Sequence, residues 1–303
     1  MSVDAAPPMP RTAGVLRRLL RGVRRFTASV VRQPSGAIGL ALVLLHIAVA
    51  LGSPWIVPYD PTAQDPNAMF AGPSPEHWLG TDALGRDVLT RTLLGGREAL
   101  AVTAIAAAVA LAWGGALGIA AGTLGGLADR IVIQIIDAFL ALPWLVFVAA
   151  IASVVGTGTW LLVPALAFFY GLPIVRVARN AALEVEARDF VTAARARGES
   201  TFAILRLEVM PNVQDVLLVE GAMEWSWMLI AFSSLSFLGF GVAPPNPDWG
   251  LMISDARLYL TVIPFAALGP MVALASLVIG INLLVGAVSR SAGIEIHQGV
   301  EGR

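Results

Sequence analysis

The chain has 303 residues, 57% of them hydrophobic and 14% charged, with a mean hydropathy of +0.76, whereas a soluble globular domain carries about 25% charged residues. A bilayer is the solvent that fits. The absence of cysteine excludes disulfides, thiolate metal sites, iron–sulfur clusters and a cysteine nucleophile. All 20 basic residues are arginine, which excludes a lysine-bearing phosphate loop, so nucleotide hydrolysis, and any cofactor for it, is not expected of this chain. His46, His77 and His297 are too scattered to suggest a metal cluster, and a net charge of −1 gives no footing for nucleic acid.

Residues 1–33 form a basic tail, read as cytoplasmic. Leu16, Leu19, Leu20, Val23 and Thr27 share one helical face, with Arg17, Arg18, Arg21, Arg24 and Arg25 around the other. This pattern suits a helix lying on a membrane surface or a solvated tail that only fixes orientation. No cleavable leader pattern is evident.

Membrane crossings need about 20 apolar residues of helix each. Uncharged runs at 37–57 and 99–128 give spans one and two. The 38 uncharged residues of 138–175 are too long for a single crossing, and Gly156-Thr157-Gly158-Thr159 marks a turn between spans three and four. Span five covers about 216–238 and contains Glu220 and Glu224; span six lies within 258–289. The expected fold is therefore an all-α membrane protein with six transmembrane helices: a six-span domain at 34–290 and a short cytoplasmic tail at 291–303. Sixteen arginines fall on the side of the two termini and four on the other. Because basic residues accumulate on the cytoplasmic side, this predicts both termini inside.

Gly114, Gly118, Gly122 and Gly126 recur every four residues along span two, a stripe that permits close helix packing. Glu220 and Glu224 lie one turn apart on one face of span five. Intramembrane acids either line a polar path, where a cationic group such as a peptide amino terminus would fit, or are structurally paired with an arginine or the interface. His46, midway along span one, reads as hydrogen-bonded to a neighbouring helix. Asp82, Arg86 and Asp87 read as local ion pairs or as a contact for a delivery protein. Trp249, after a proline cluster, reads as part of a rigid loop at the membrane interface.

The segment between spans four and five is long, charged and patterned: Thr192-Ala193-Ala194-Arg195, then Gly198, and later Met210-Pro211-Asn212. It resembles the Glu-Ala-Ala-x3-Gly motif of importer permeases, with threonine in place of glutamate and methionine in place of leucine. Alanines allow close approach to a partner, and glycine permits the positive φ that ends such a helix. Three further segments are similar to the C-type permease of dipeptide and oligopeptide ATP-driven importers: 77–88 (His-Trp-Leu-Gly-Thr-Asp-Ala-Leu-Gly-Arg-Asp-Val), 235–250 with its Asp248-Trp249-Gly250, and Asn282-Leu283-Leu284. The tail from Ser289 departs from that pattern, as does Phe232, where many relatives carry an acid.

The resemblance implies a multi-pass permease subunit of the bacterial inner membrane. Its coupling helix, with Thr192, Ala193, Ala194, Arg195, Gly198 and Pro211, would dock on an ATPase. Its implied partners are a homologous second permease, two ATP-binding subunits, an extracytoplasmic substrate-binding protein and lipid. Peptide is the implied substrate, with nickel or haem the alternative. An ion-coupled secondary transporter, or a scaffold without transport, are the readings from other classes; the first usually shows paired repeats, which this chain lacks.

Overall fold

The computed structural model describes residues 28–155 and 158–293. The amphipathic segment 16–27, the centre of the expected 156–159 turn and His297 lie outside these residues. The described chain is helical and contains no strand. Helix α1 (Pro34–Ile56) opens with proline in its first turn, where a missing N–H costs nothing. After a loop, α2 (Val88–Leu124) begins at Asp87, whose side chain accepts the Thr90 N–H, and runs 37 residues. Gly125 ends it at φ 62. Helices α3 (Gly126–Leu140) and α4 (Trp144–Val155) follow, bent by 82° across the break at Pro143; a residue preceding proline is driven out of the helical region. Helix α5 (Leu162–Glu186) precedes the short α6 (Asp189–Ala196) and α7 (Thr201–Ile204).

A π-helical turn at Leu205–Val209 leads directly into α8 (Met210–Phe237). Pro211 explains the widened turn: it has no N–H for the Leu207 carbonyl, and its ring crowds that carbonyl. The fold closes with α9 (Trp249–Ala256), capped by Asp248, and α10 (Pro264–Ala292). Five helices are long and apolar enough to cross a membrane, and the bent α3–α4 pair makes up to six.

The most extensive packing joins α2 to α5, for a reason visible in the glycines. A Cβ at Gly114, Gly118 or Gly122 would fall 2.6, 2.3 or 2.8 Å from the carbonyl oxygens of Gly171, Val175 and Arg179. Backbones this close admit no side chain. Where these helices leave the apolar region, Arg179 holds Asp129 of α3 through two hydrogen bonds, and Arg176 meets Asp137 at 3.0 Å. Helix α8 packs on both partners: Trp225 Nε1 donates to Thr103 Oγ1 at 2.9 Å, and Gly221 faces Leu111. Helix α1 leans on α10. Gly39 abuts the backbone of Gly280 and Leu284, while His46 sets its ring nitrogens 2.9 Å from the Leu42 carbonyl and 3.0 Å from that of Ala273. That is the interhelical role expected of His46.

Several expectations are corrected. The helix that carries span two begins at Val88, eleven residues before the uncharged run, and buries Arg91 inside protein while Arg97 is exposed. Gly126 does not belong to the stripe, because Gly125 has already ended α2 and Gly126 itself adopts φ 64 in open space. The helices of spans three and four extend beyond the uncharged run, from Gly126 and to Glu186; Asp129 and Asp137 of α3 are paired there with Arg179 and Arg176 of α5. Trp249 lies not in a loop but in the first turn of α9, 3% exposed, filling a notch at Gly95 and Gly96 with its Nε1 donating to the Thr92 carbonyl at 2.8 Å.

Candidate functional site

Three features carry chemistry: an acid pair inside the bundle, an exposed short helix at one end, and a charged cluster at the other. Glu220 and Glu224 are half-buried on α8. Neither carboxylate has a hydrogen bond or ion-pair partner among the described residues. Glu224 interacts electrostatically with Glu220 and with Tyr170 of α5. Acids unpaired among the described residues, on a helix of membrane-spanning length, face either a partner or a wet path. Asp215, nearer the start of α8, is exposed, as expected.

The short helix α6 divides the predicted motif residues between two faces. Val191 and Ala194 are fully buried against their own chain, whereas Thr192, Ala193, Arg195 and Gly198 are exposed. Ala194 therefore seats the helix, and Ala193 with Thr192 faces outward. Arg195 is tied back to Glu186 of α5 at 2.5 Å. Gly198, at φ 81, closes the helix: its N–H donates to the Arg195 carbonyl at 2.9 Å and the Glu199 N–H to that of Ala194 at 3.2 Å, the paired bonds of a glycine-terminated helix. Beside it, Phe202, Leu207 and Met210 are 70%, 63% and 54% exposed, and Pro211 is exposed too. Sequence patterning had singled out only Met210 and Pro211 of this apolar group; Phe202 and Leu207 lacked a motif to mark them.

At the opposite end the loop before α2 folds back on itself. Asp82 pairs with Arg86 at 2.6 Å, as expected, but Asp87 does not join them; it caps α2 and meets His77 Nδ1 at 2.9 Å. Arg91 is 1% exposed and donates Nη1 to the carbonyls of Pro61 and Pro245 at 2.7 and 3.1 Å, joining the loop before α2 to the loop before α9. Asp248 caps α9 through Oδ1, and burial pushes its carboxyl up to about 6 against the hydrogen bonds from backbone N–H groups. Burial likewise raises the Asp255 carboxyl above its ordinary value, with Arg86 and Arg91 pulling the other way. Arg91 and Asp255 were invisible as a site in sequence, where Arg91 counted only toward the arginine asymmetry and Asp255 carried no signal.

A glycine-locked bundle of membrane-length helices, with acids inside it and a short exposed helix at one end, defines an all-α multi-pass permease. The chain belongs to the family described as binding-protein-dependent transport system inner membrane component, whose pattern matches residues 114–291. Residues 24–73 match the N-terminal transmembrane domain of oligopeptide transport permease C. The chain is 34% identical over 262 residues to the glutathione transport system permease protein GsiD of Pectobacterium atrosepticum, covering 86% of this chain and 87% of that protein. It is 34% identical over 244 residues to the di/tripeptide transport system permease protein DppC of Pseudomonas aeruginosa, covering 78% and 80%. The GsiD protein of Escherichia coli is 34% identical over 262 residues, covering 86% and 85%. The chain is thus a multi-pass inner-membrane component of a bacterial binding-protein-dependent transport system.

Proposed function

We propose that this permease carries short peptides inward, in an importer driven by ATP hydrolysed on two separate ATP-binding subunits and completed by a second, homologous permease and an extracytoplasmic binding protein. The reading is supported above all by similarity, over most of the chain, to permeases named for glutathione and for di- and tripeptides. Both termini lie in the cytoplasm, by the arginine asymmetry, so α6 faces the ATPases and the 57–87 loop faces outside. Closure of the ATPases around nucleotide displaces the surface formed by Thr192, Ala193, Phe202, Leu207 and Met210, while Ala194 and the Arg195–Glu186 pair pass that displacement to the bundle. ATP biases the equilibrium because it binds the closed arrangement more tightly than the open one. Glu220 and Glu224 line the path, where a peptide ammonium group meets negative charge in place of bulk water.

Uptake of labelled di-, tri- and pentapeptides, with nickel and haem alongside, by cells lacking this gene and by complemented cells tests the reading. Restoration of di- and tripeptide uptake is the expected result; loss of nickel or haem uptake alone overturns the substrate. Joint Glu220→Gln and Glu224→Gln replacement lowers peptide uptake by about tenfold or more at unchanged membrane abundance, as removal of a charge-assisted contact does. A fall in abundance to match would instead make the pair structural.

A further inference from the structure

A cavity of about 370 Å3 opens between the 82–86 turn, α9 and the start of α10, lined by Asp82, Arg86, Asp255, Arg257, Tyr259 and Ile263 among others. Its size falls within the range of small-ligand sites. Its charged wall has more donors than acceptors. Arg86 is 6% exposed. Its Nε is engaged by Asp82 Oδ2 at 2.6 Å, and the other Asp82 oxygen accepts the backbone N–H groups of Leu84 and Arg86. The two terminal nitrogens of Arg86 make no hydrogen bond among the described residues. The nearest carboxylate to them, Asp255 Oδ2, lies 3.7 Å from Nη2, beyond hydrogen-bonding reach. Behind Arg86, Arg91 sets its Nε 3.7 Å from Asp82 Oδ2, and its Nε and Nη2 make no hydrogen bond among the described residues. No other acidic side chain lines the cavity. Arg257, on the rim, is held by Ser254 at 2.9 Å and lies over the Phe237 ring.

The terminal nitrogens of Arg86 are accessible at the cavity wall, and the planar fork of arginine is shaped to take both oxygens of one carboxylate. We propose that this pocket is a carboxylate-binding site in which the terminal nitrogens of Arg86 hold the ligand's two oxygens. Met252, Ile263 and Ala266 on the wall take the organic part of the ligand. Asp255, half-exposed beside the fork, competes for the same donors and so limits affinity in its ionised form. The ligand oxygens come either from the carboxyl terminus of a short peptide or from an acidic side chain of a protein that docks on this face. Only the choice between these sources rests on the peptide-permease reading; the chemistry of the pocket stands apart from what is transported.

The test is calorimetric titration of the full-length chain in lipid nanodiscs with acetate, with Ala-Ala and with the Ala-Ala carboxamide. Saturable binding of Ala-Ala and acetate but not of the carboxamide is expected. Arg86→Lys, which keeps the charge and loses the fork, weakens binding about tenfold. Asp255→Asn tightens it several-fold, a gain that a merely structural ion-pair network does not produce. If the small carboxylates fail to bind, but association with the purified binding protein of the same system weakens in Arg86→Lys and tightens in Asp255→Asn, the carboxylate is a protein side chain. If both associations ignore both substitutions, the assignment is overturned. Should Arg86→Lys unfold on heating well below the parent, Asp255→Asn decides alone. Failure of peptide uptake in cells would overturn the transport reading and leave these titrations intact.

Discussion

A methyl group on Gly118 would lie 2.3 Å from the Val175 carbonyl oxygen and 2.6 Å from the Ala178 Cβ, atoms with no freedom to retreat. Gly118→Ala is therefore expected to lower stability by about 1–3 kcal/mol, the cost of forcing extra volume into a packed contact. Gly126→Ala meets nothing within 4 Å, and its cost of about 1 kcal/mol comes from the left-handed backbone alone. Unfolding in mixed detergent micelles, followed by helicity, separates the two: the first substitution loosens α2 from α5, the second only the turn. The four-residue repeat was legible in sequence but its endpoint was not, because spacing says nothing of where the backbone changes hand. Glu220 and Glu224 were legible for the opposite reason, since a charge inside an apolar run stands out whatever its surroundings.

Among the elements, α6 shows how far a motif can be read without coordinates. Its position, its glycine stop and its small residues were all visible in the sequence, yet the division of labour between adjacent alanines follows only from which side of the helix meets α5 and α7. Ala193→Trp is expected to leave membrane abundance unchanged and to cut substrate-stimulated ATP hydrolysis about tenfold, as disruption of a central interface contact does. Ala194→Trp is expected to reduce abundance, because its site is filled. Immunoblotting of membranes alongside ATPase assays of the assembled complex distinguishes them.

Helix α9 went unread in sequence, since eight residues bounded by prolines and glycines carry too little periodicity to mark a helix, and its anchor lies in a notch some 150 residues earlier in the chain. Its cap gives a pH dependence. A carboxyl at about 6 in the folded protein, against about 3.9 unfolded, favours folding when protonated. That contribution is complete below about pH 4 and is lost as pH rises to about 6. Asp248→Asn, still a good cap, removes this slope and stabilises the protein at pH 7 by up to roughly 3 kcal/mol, readable in thermal melts across pH 4–7.

For the molecule as a whole, orientation is the quantity most open to direct measurement. With no native cysteine, a single Thr62→Cys or Thr192→Cys introduces the only thiol. A membrane-impermeant maleimide applied to intact cells whose outer membrane is permeabilised should label the first and spare the second; the reverse pattern would invert the topology. The bundle itself is uneven in stiffness. Helices α1, α5 and α10 each contain an internal proline, Pro54, Pro173 and Pro270, α3–α4 is broken at Pro143, and α8 is entered through the widened turn before Pro211. Helix α2 has no proline in its 37 residues and extends about 55 Å. It is the beam of the structure and its neighbours are the springs. When the bundle changes shape, the distance between spin labels at Thr90 and Thr123 should hold constant while distances from either to α10 change, so α2 would serve as the fixed ruler against which every other movement in this permease is measured.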